Sequence, residues 1–313
     1  MSFVEIDEVV KALRSVRHRR QPGPARPSCS SGRRVPDVSA IEHIVRQLGS
    51  ALYPAILGPS DLREDGEDHY VGHVLQDAFG RLQDEARIEF EYWARDREPD
   101  VFDAGVCAAN AVRTLAVRLP HLRELLDSDV VAAFHGDPAA RSTDEVVLCY
   151  PGIQAMIYHR LAHECYRLDL PLIARITAEL AHSQTGIDIH PGAQIGSGFF
   201  IDHGTGVVIG ETAIIGNRVR IYQGVSLGAK RFPQTASGSL EKGLARHPVI
   251  EDDVVIYAGA TILGRVRIGK GAVIAGNVWL THDVPPGSKV TLADAKCVVM
   301  RPSELEAPAE MRS

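Results

Sequence analysis

Several things are scarce in this chain of 313 residues. It has only five cysteines, Cys29, Cys107, Cys149, Cys165 and Cys297, scattered, odd in number and without C-x-x-C spacing. That pattern excludes a disulfide frame or a cysteine zinc site and reads as free thiols in a reducing compartment. No apolar run approaches the ~18 residues needed to span a bilayer. The N-terminus lacks the apolar core of a signal peptide, so a cytoplasmic location without a membrane partner is expected. Basic residues are not in excess: 34 against 40 acidic ones give a net charge of −6, which argues against nucleic acid as the partner. The length allows one large or two ordinary domains.

What is present is a period. From Ile250 to Leu280 an aliphatic residue falls at every sixth position: Ile250, Ile256, Ile262, Ile268, Ile274 and Leu280. Four residues after each of the first five stands a small or β-branched partner, Val254, Ala260, Val266, Ala272 or Val278. A helix repeats apolar residues at three and four, a strand at two. A period of six fits a coil with three short flat sides, one inward side chain per side. Residues eighteen apart then stack at the usual ~4.8 Å strand spacing.

The same period runs earlier through Ile189, Ile195 and Ile201, then steps by eight to Ile209, and continues through Ile215, Ile221 and Leu227. Two extra residues therefore enter within Asp202-His203-Gly204-Thr205-Gly206. A solenoid core has no room for them, so they bulge outward, where such folds place binding. A second break, from Gly228 to Val249, predicts a long excursion carrying Lys230, Arg231, Lys242 and Arg246.

Four segments follow. Residues 1–36 turn Arg-, Pro- and Ser-rich and are expected as a mobile basic tail. Residues 37–184 show helical spacing, as in Val38, Ile41, Val45, Leu48 and Leu52, with Pro120, Pro138, Pro151 and Pro171 as punctuation. Residues 185–286 hold the six-residue coil, and 287–313 form a C-terminal tail with one short extended piece. The fold class is α+β: a helical domain followed by a parallel β-helix with an extended loop. His159 and His163 share a helix face, but Arg160 stands where a metalloprotease needs Glu, so helix packing is expected there. Asp137, between helices, reads locally as a turn and cap residue.

Stacking also suggests chemistry. Asp188 precedes the first inward residue, and His203 returns about one coil later. Their hydrogen bond is expected to fix the imidazole tautomer and leave its other nitrogen as a general base. No nucleophilic Ser or Cys is required, so direct transfer between two bound substrates is the simplest reaction.

Asp188-Ile189-His190-Pro191, the run from Ile201-Asp202-His203-Gly204-Thr205-Gly206 to Gly210-Glu211-Thr212, Val225-Ser226-Leu227-Gly228, and Arg246-His247-Pro248 together resemble the serine O-acetyltransferases of cysteine biosynthesis. These are hexapeptide-repeat acyltransferases with a left-handed parallel β-helix. The resemblance covers roughly residues 132–286. It implies that His203 takes the proton from the L-serine hydroxyl, that Asp188 orients it, and that the hydroxyl attacks acetyl-CoA directly to give O-acetylserine and CoA. It further implies Arg246 and His247 as ligands of the acceptor carboxylate, and Asp137 and Asp202 as partners of its amino group, overturning the local reading of Asp137. A zwitterion needs one cationic and one anionic contact, which agrees. Gly228, Ala229, Ala258 and Gly276 match the CoA-binding positions, and Glu211 and His190 read as framework.

The family implies a homotrimer, often doubled to a dimer of trimers, with each site built from two chains. The final Ala309-Glu310-Met311-Arg312-Ser313 lacks the terminal isoleucine that enters the cysteine synthase site, which leaves that complex doubtful. No resident metal is expected. Two alternatives keep the fold: another acceptor such as an amino sugar, or a metal-dependent hydratase of the γ-type carbonic anhydrase class using His190, His203 and His247.

Overall fold

The six-residue period becomes three parallel sheets. The structure, a computed structural model, describes residues 6–18, 35–94, 103–231, 238, 240–241 and 243–292. The first sheet stacks β1 (Asp188–Ile189), β4 (Val208–Ile209), β7 (Ser226–Gly228), β10 (Thr261–Leu263) and β13 (Trp279–Leu280). The second holds β2 (Gln194–Ile195), β5 (Ile214–Ile215), β8 (Val249–Ile250) and β11 (Arg267–Ile268). The third holds β3 (Phe200–Asp202), β6 (Arg220–Tyr222), β9 (Val255–Ile256), β12 (Val273–Ile274) and β14 (Lys289–Val290). The chain visits the sheets in turn, which is the course of a parallel β-helix.

The register follows the expected stacking. Ile250 lies opposite Ile268, Ile256 opposite Ile274 and Ile262 opposite Leu280. Ile250, Ile256, Ile262, Ile268 and Ile274 are at most 1 % exposed, and each such burial is worth roughly 1.5–3 kcal/mol. The widened coil pairs Ile189 with Ile209 and Phe200 with Arg220, twenty positions apart, so the two extra residues lie between Asp202 and Val208. After the excursion Ile215 meets Ile250. Residues 232–237, 239 and 242 of that excursion lie outside the described residues.

Three expectations are corrected. The coil does not end at residue 286: Lys289 pairs with Val273 and Val290 with Ile274. A turn at Gly287, φ +67°, a region open to glycine, returns the chain to register only sixteen residues on. Within the stretch 1–36, Ile6–His18 forms helix α1, whose Ile6, Val9, Leu13 and Val16 recur at helical spacing; residues 1–5 and 19–34 lie outside the described residues. Pro120 does not separate two helices but sits inside α5 (Ala104–Gly136). Proline costs a backbone bond there, but Leu115, Leu119, Leu122 and Leu126, all buried, continue the apolar stripe across it.

The remaining helices are α2 (Val38–Leu52), α3 (Pro54–Leu57), α4 (Glu67–Ala94), α6 (Thr143–Cys149), α7 (Pro151–Arg167) and α8 (Pro171–Thr185). Secondary structure changes type after Thr185, near the expected boundary, but compactness divides the chain differently. One unit comprises residues 1–122 with 160–180, the other 123–159 with 181–313.

In the first unit Asp37 caps α2 by accepting from Ala40 N at 2.9 Å, and Ile41, Ile44, Leu82, Leu115, Leu161 and Ile173 form the core. In the second, the end of α5 is bonded to the first coil. Gly198 N donates to Ser128 Oγ at 2.9 Å, and Phe199 N to the fully buried Asp129 at 2.8 Å. These bonds explain why a helical segment belongs with the β-helix.

Candidate active site

The widened corner carries the first group of side chains. His203 follows β3 with φ +59°, an uncommon conformation for a residue with a Cβ, of the kind that clusters at functional sites. The next residue must be Gly204, because a Cβ there would run into the Ile187 side chain. The His203 side chain is 72 % exposed, and its Nε2 lies 3.8 Å from Asp202 Oδ1.

The expected Asp188–His203 hydrogen bond is not formed: among the described residues no hydrogen bond or ion pair joins them. Asp188 opens β1 of the first sheet, whereas His203 leaves β3 of the third. They flank one corner, since Gly206 N donates to Gly186 O at 2.8 Å, but the imidazole turns outward to Asp202.

Asp137 joins this corner. Gly136 lies directly on the Phe200 ring, where a Cβ would come within 2.8 Å, so the loop after α5 is pressed onto the third sheet. Asp137 Oδ1 accepts from Ala139 N at 2.8 Å and Oδ2 from the Tyr150 hydroxyl at 2.6 Å. The Tyr150 bond, then the Ala139 amide, holds the Asp137 carboxyl below the usual range, while Asp137 pushes the Tyr150 phenol up to about 12. The turn role read locally is therefore present, and the same loop brings Asp137 to the corner of the third sheet. Arg220, on β6, reaches Asp202 Oδ2 at 3.1 Å, and its guanidinium lies 4.9 Å from the Phe200 ring centre and 4.8 Å from that of Tyr222.

A groove of about 640 Å³ opens beside this cluster, lined among others by His203, Tyr222, Tyr257, Ala258, Gly276 and Lys289. Tyr222 and Tyr257 stack, with centroids 5.1 Å apart and rings 13° from parallel. Of the four positions expected to meet CoA, Ala258 and Gly276 share the groove. Gly228 and Ala229 are not among its lining residues. Gly228 closes β7, its carbonyl accepting from Gly264 N at 2.9 Å, and Ala229 leads into the excursion at the next corner. Six-residue spacing alone did not distinguish one corner from another.

The second group lies at that next corner, between β4 and β5 and ahead of β8. Arg246 donates to Glu211 Oε2 at 2.6 Å. The backbone amides of Arg246 and His247 both donate to Thr212 Oγ1, at 2.9 and 3.1 Å. Thr212 N donates to His247 Nδ1 at 3.0 Å, which leaves the ring proton on Nε2. Burial, then the Arg246 charge, lowers the His247 pKa to about 4, so the ring is a neutral donor. It packs over Gly210, where a Cβ would overlap it. His190 accepts from Gly192 N at 3.0 Å, a local framework role. Within one protomer the structure thus brings Asp137, Asp202 and His203 together, and Arg246 with His247, but not the two groups with each other. Tyr150, Thr212, Arg220, Tyr222 and Tyr257 were not singled out from sequence; the stacking register, which sets Arg220 opposite Phe200, is the one signal that could have found Arg220.

Comparisons with known proteins identify the family. A family model described as bacterial transferase hexapeptide (six repeats) matches residues 247–282. The plasmid serine acetyltransferase of Synechococcus elongatus is 51 % identical over 267 residues, 84 % of this chain and 83 % of that protein. The serine acetyltransferase of Bacillus licheniformis is 48 % identical over 56 % of this chain and 77 % of its own length. Among solved structures, Entamoeba histolytica serine acetyltransferase isoform 3 in complex with cysteine superimposes with a TM-score of 0.70 at 31 % identity, covering 95 % of this chain and 94 % of that one. Soybean serine acetyltransferase complexed with serine gives 0.52 at 28 % identity, over 84 % and 100 %. No helix among the described residues is long and apolar enough to cross a membrane. Identity of that degree across most of both chains is decisive: this chain belongs to the serine acetyltransferases.

Proposed function

We propose that the chain transfers acetyl from acetyl-CoA to the hydroxyl of L-serine, with His203 as the general base. The observation that carries this reading is the opening of one groove onto the exposed His203 ring, beside carboxylates held for a cation. Serine's ammonium fits Asp137 and Asp202; its carboxylate fits Arg246 and the neutral His247. The groove along Ala258 and Gly276 suits an extended acyl-carrier arm. His203 removes the hydroxyl proton as the oxygen adds to the thioester carbon, and collapse of the tetrahedral intermediate expels the CoA thiolate. Asp188 keeps a positioning role in this proposal. The freely exposed ring turns to it once substrate is seated, as catalytic hydrogen bonds often tighten only in the complex.

Serine needs both groups of residues, and one protomer holds them at successive corners of the prism. A site completed by a neighbouring chain resolves this. The outward row of the first sheet runs from Asp188 through Val208, Ser226 and Thr261 to Trp279; Val208 and Trp279, 41 % and 67 % exposed, give it a surface suited to lateral packing of a trimer. The metal reading on His190, His203 and His247 finds less support. Among the described residues these three do not form a ligand cluster within one protomer. An amino-sugar acceptor leaves Arg246 without a carboxylate to bind.

The test follows CoA thiol release with L-serine and acetyl-CoA. His203→Ala should lose ~100-fold or more, and so should Arg246→Ala in serine kcat/KM. Co-expressed, the two variants should recover part of the activity, because mixed trimers contain intact sites. Unchanged turnover in His203→Ala removes the base. No recovery on mixing removes the shared site.

A further inference from the structure

We infer that Arg220 is the built-in counter-charge of the ammonium subsite, a positioning residue that holds Asp202 in place for the substrate ammonium. The inference rests on the reading of Asp137 and Asp202 as the ammonium's partners.

Two carboxylates facing one ammonium would leave that subsite with an uncompensated negative charge whenever substrate is bound. Arg220 supplies the missing positive charge from the protein. Its Nη2 lies 3.1 Å from Asp202 Oδ2, while Asp202 Oδ1 faces His203 Nε2 at 3.8 Å. One carboxylate therefore stands between a permanent cation and the proposed base. The Arg220 charge also acts on Asp137, whose carboxyl it helps to hold below the usual range after the Tyr150 and Ala139 bonds. The Arg220 side chain is only 26 % exposed, and its guanidinium is flanked by the Phe200 and Tyr222 rings, so it is fixed in place. Its Nε is buried without a hydrogen-bond partner, which fits placement for charge and packing rather than for a maximum of hydrogen bonds.

The charged and titratable groups gathered here are Asp202 beside His203, Asp137 and Tyr150 from the loops around α6, Arg220 and Tyr222 on β6, and Tyr257 and Lys289 across the groove. Of the cations among them, Arg220 is the one ion-paired to Asp202.

The experiment compares Arg220→Met, Arg220→Lys, Asp202→Asn and the Arg220→Met/Asp202→Asn double variant with the parent enzyme in serine KM and kcat, with thermal melting as a check on folding. In Arg220→Met the serine KM should rise roughly three- to tenfold, the loss of one hydrogen bond to a charged group, while kcat and the KM for acetyl-CoA change less. Arg220→Lys keeps the charge but loses the fork and the ring contacts, so it should recover part of that loss. Because Arg220 works through Asp202, the double variant should raise the serine KM little beyond Asp202→Asn alone. A parent-like serine KM in Arg220→Met, or fully additive effects in the double variant, overturns the inference. If Asp137→Asn and Asp202→Asn leave the serine KM unchanged, the ammonium reading itself fails, whatever the Arg220 variants show.

Discussion

The Tyr150 hydroxyl donates to Asp137 Oδ2 at 2.6 Å and so ties the loop after α5 to the start of α7. Asp137 has one carboxylate oxygen on Tyr150 and the other on Ala139 N, so its orientation is set before any substrate arrives. Tyr150→Phe removes the first of these anchors. The serine KM should rise roughly three- to tenfold, the loss of one hydrogen bond to a charged group, with kcat changed less and the melting temperature nearly constant. A parallel fall in kcat with unaltered KM would assign Tyr150 to the chemical step instead.

Gly210 is the floor under His247. Its backbone angle is ordinary, so the need for glycine there is one of space: a Cβ meets the imidazole. Gly210→Ala should displace the ring from Thr212 N and lower stability by about 1–3 kcal/mol, as overpacking does. The serine kcat/KM should fall at least tenfold, while the KM for acetyl-CoA moves little. Denaturant melts and steady-state kinetics on the one variant check both parts. Parent-like serine kinetics would remove His247 from the acceptor site.

The residues that were legible in sequence are those whose role repeats along the chain. Ile250 to Leu280 announced the coil because the inward positions recur without exception, and the step of eight after Ile201 located the widened corner. A short extended piece was expected from Val290, but the pairing of Lys289–Val290 with the coil escaped, because Pro285 and Pro286 interrupt the period and the return takes sixteen residues. α1 was hidden by the basic, proline-rich composition that follows it. In the site, Asp137, Asp202, His203, Arg246 and His247 were nameable from motifs, but their partners were not. Tyr150 meets Asp137 through folding of α6, and Thr212 meets His247 across the excursion; no local spacing encodes either. The expected Asp188–His203 hydrogen bond is not formed in the structure: sequence places both at one corner without saying which way the imidazole faces, and here it faces Asp202.

His247 gives a dependence of stability on pH. Its native pKa is lowered to about 4 from an ordinary 6.5. Between those values the unfolded chain binds a proton that the native ring does not, so stability falls as pH drops from 6.5 toward 4 and this contribution then levels off. The difference between pH 7 and pH 5 should be about 2 kcal/mol from this group. His247→Asn should remove it, read as a smaller shift of the urea midpoint between the two pH values than in the parent. Equal shifts in both proteins would mean that the ring is already protonated in the native state at pH 5.

The last prediction concerns Glu89, fully buried in the first unit. Its carboxylate accepts from Leu172 N at 2.6 Å, from Ile173 N at 2.9 Å and from Trp93 Nε1 at 3.2 Å. A side chain 83 positions away thus caps α8 and satisfies two amides that the helix leaves open. Burial pushes the Glu89 pKa up, while the two amides and the indole oppose that shift. Glu89→Ala leaves three donors without their acceptor, the buried Ile173 N among them, and should cost about 2–4 kcal/mol, lowering the melting temperature by several degrees. Glu89→Gln keeps one acceptor oxygen and should cost about half as much. Because the native pKa lies above the unfolded one, the native state binds the proton first. The Glu89 contribution is therefore fully present below the unfolded pKa and declines as pH rises through the native one. The parent-minus-Gln stability difference should shrink between pH 4 and 7. A difference that grows over that range would mean that the helix terminus outweighs burial and holds Glu89 as an anion.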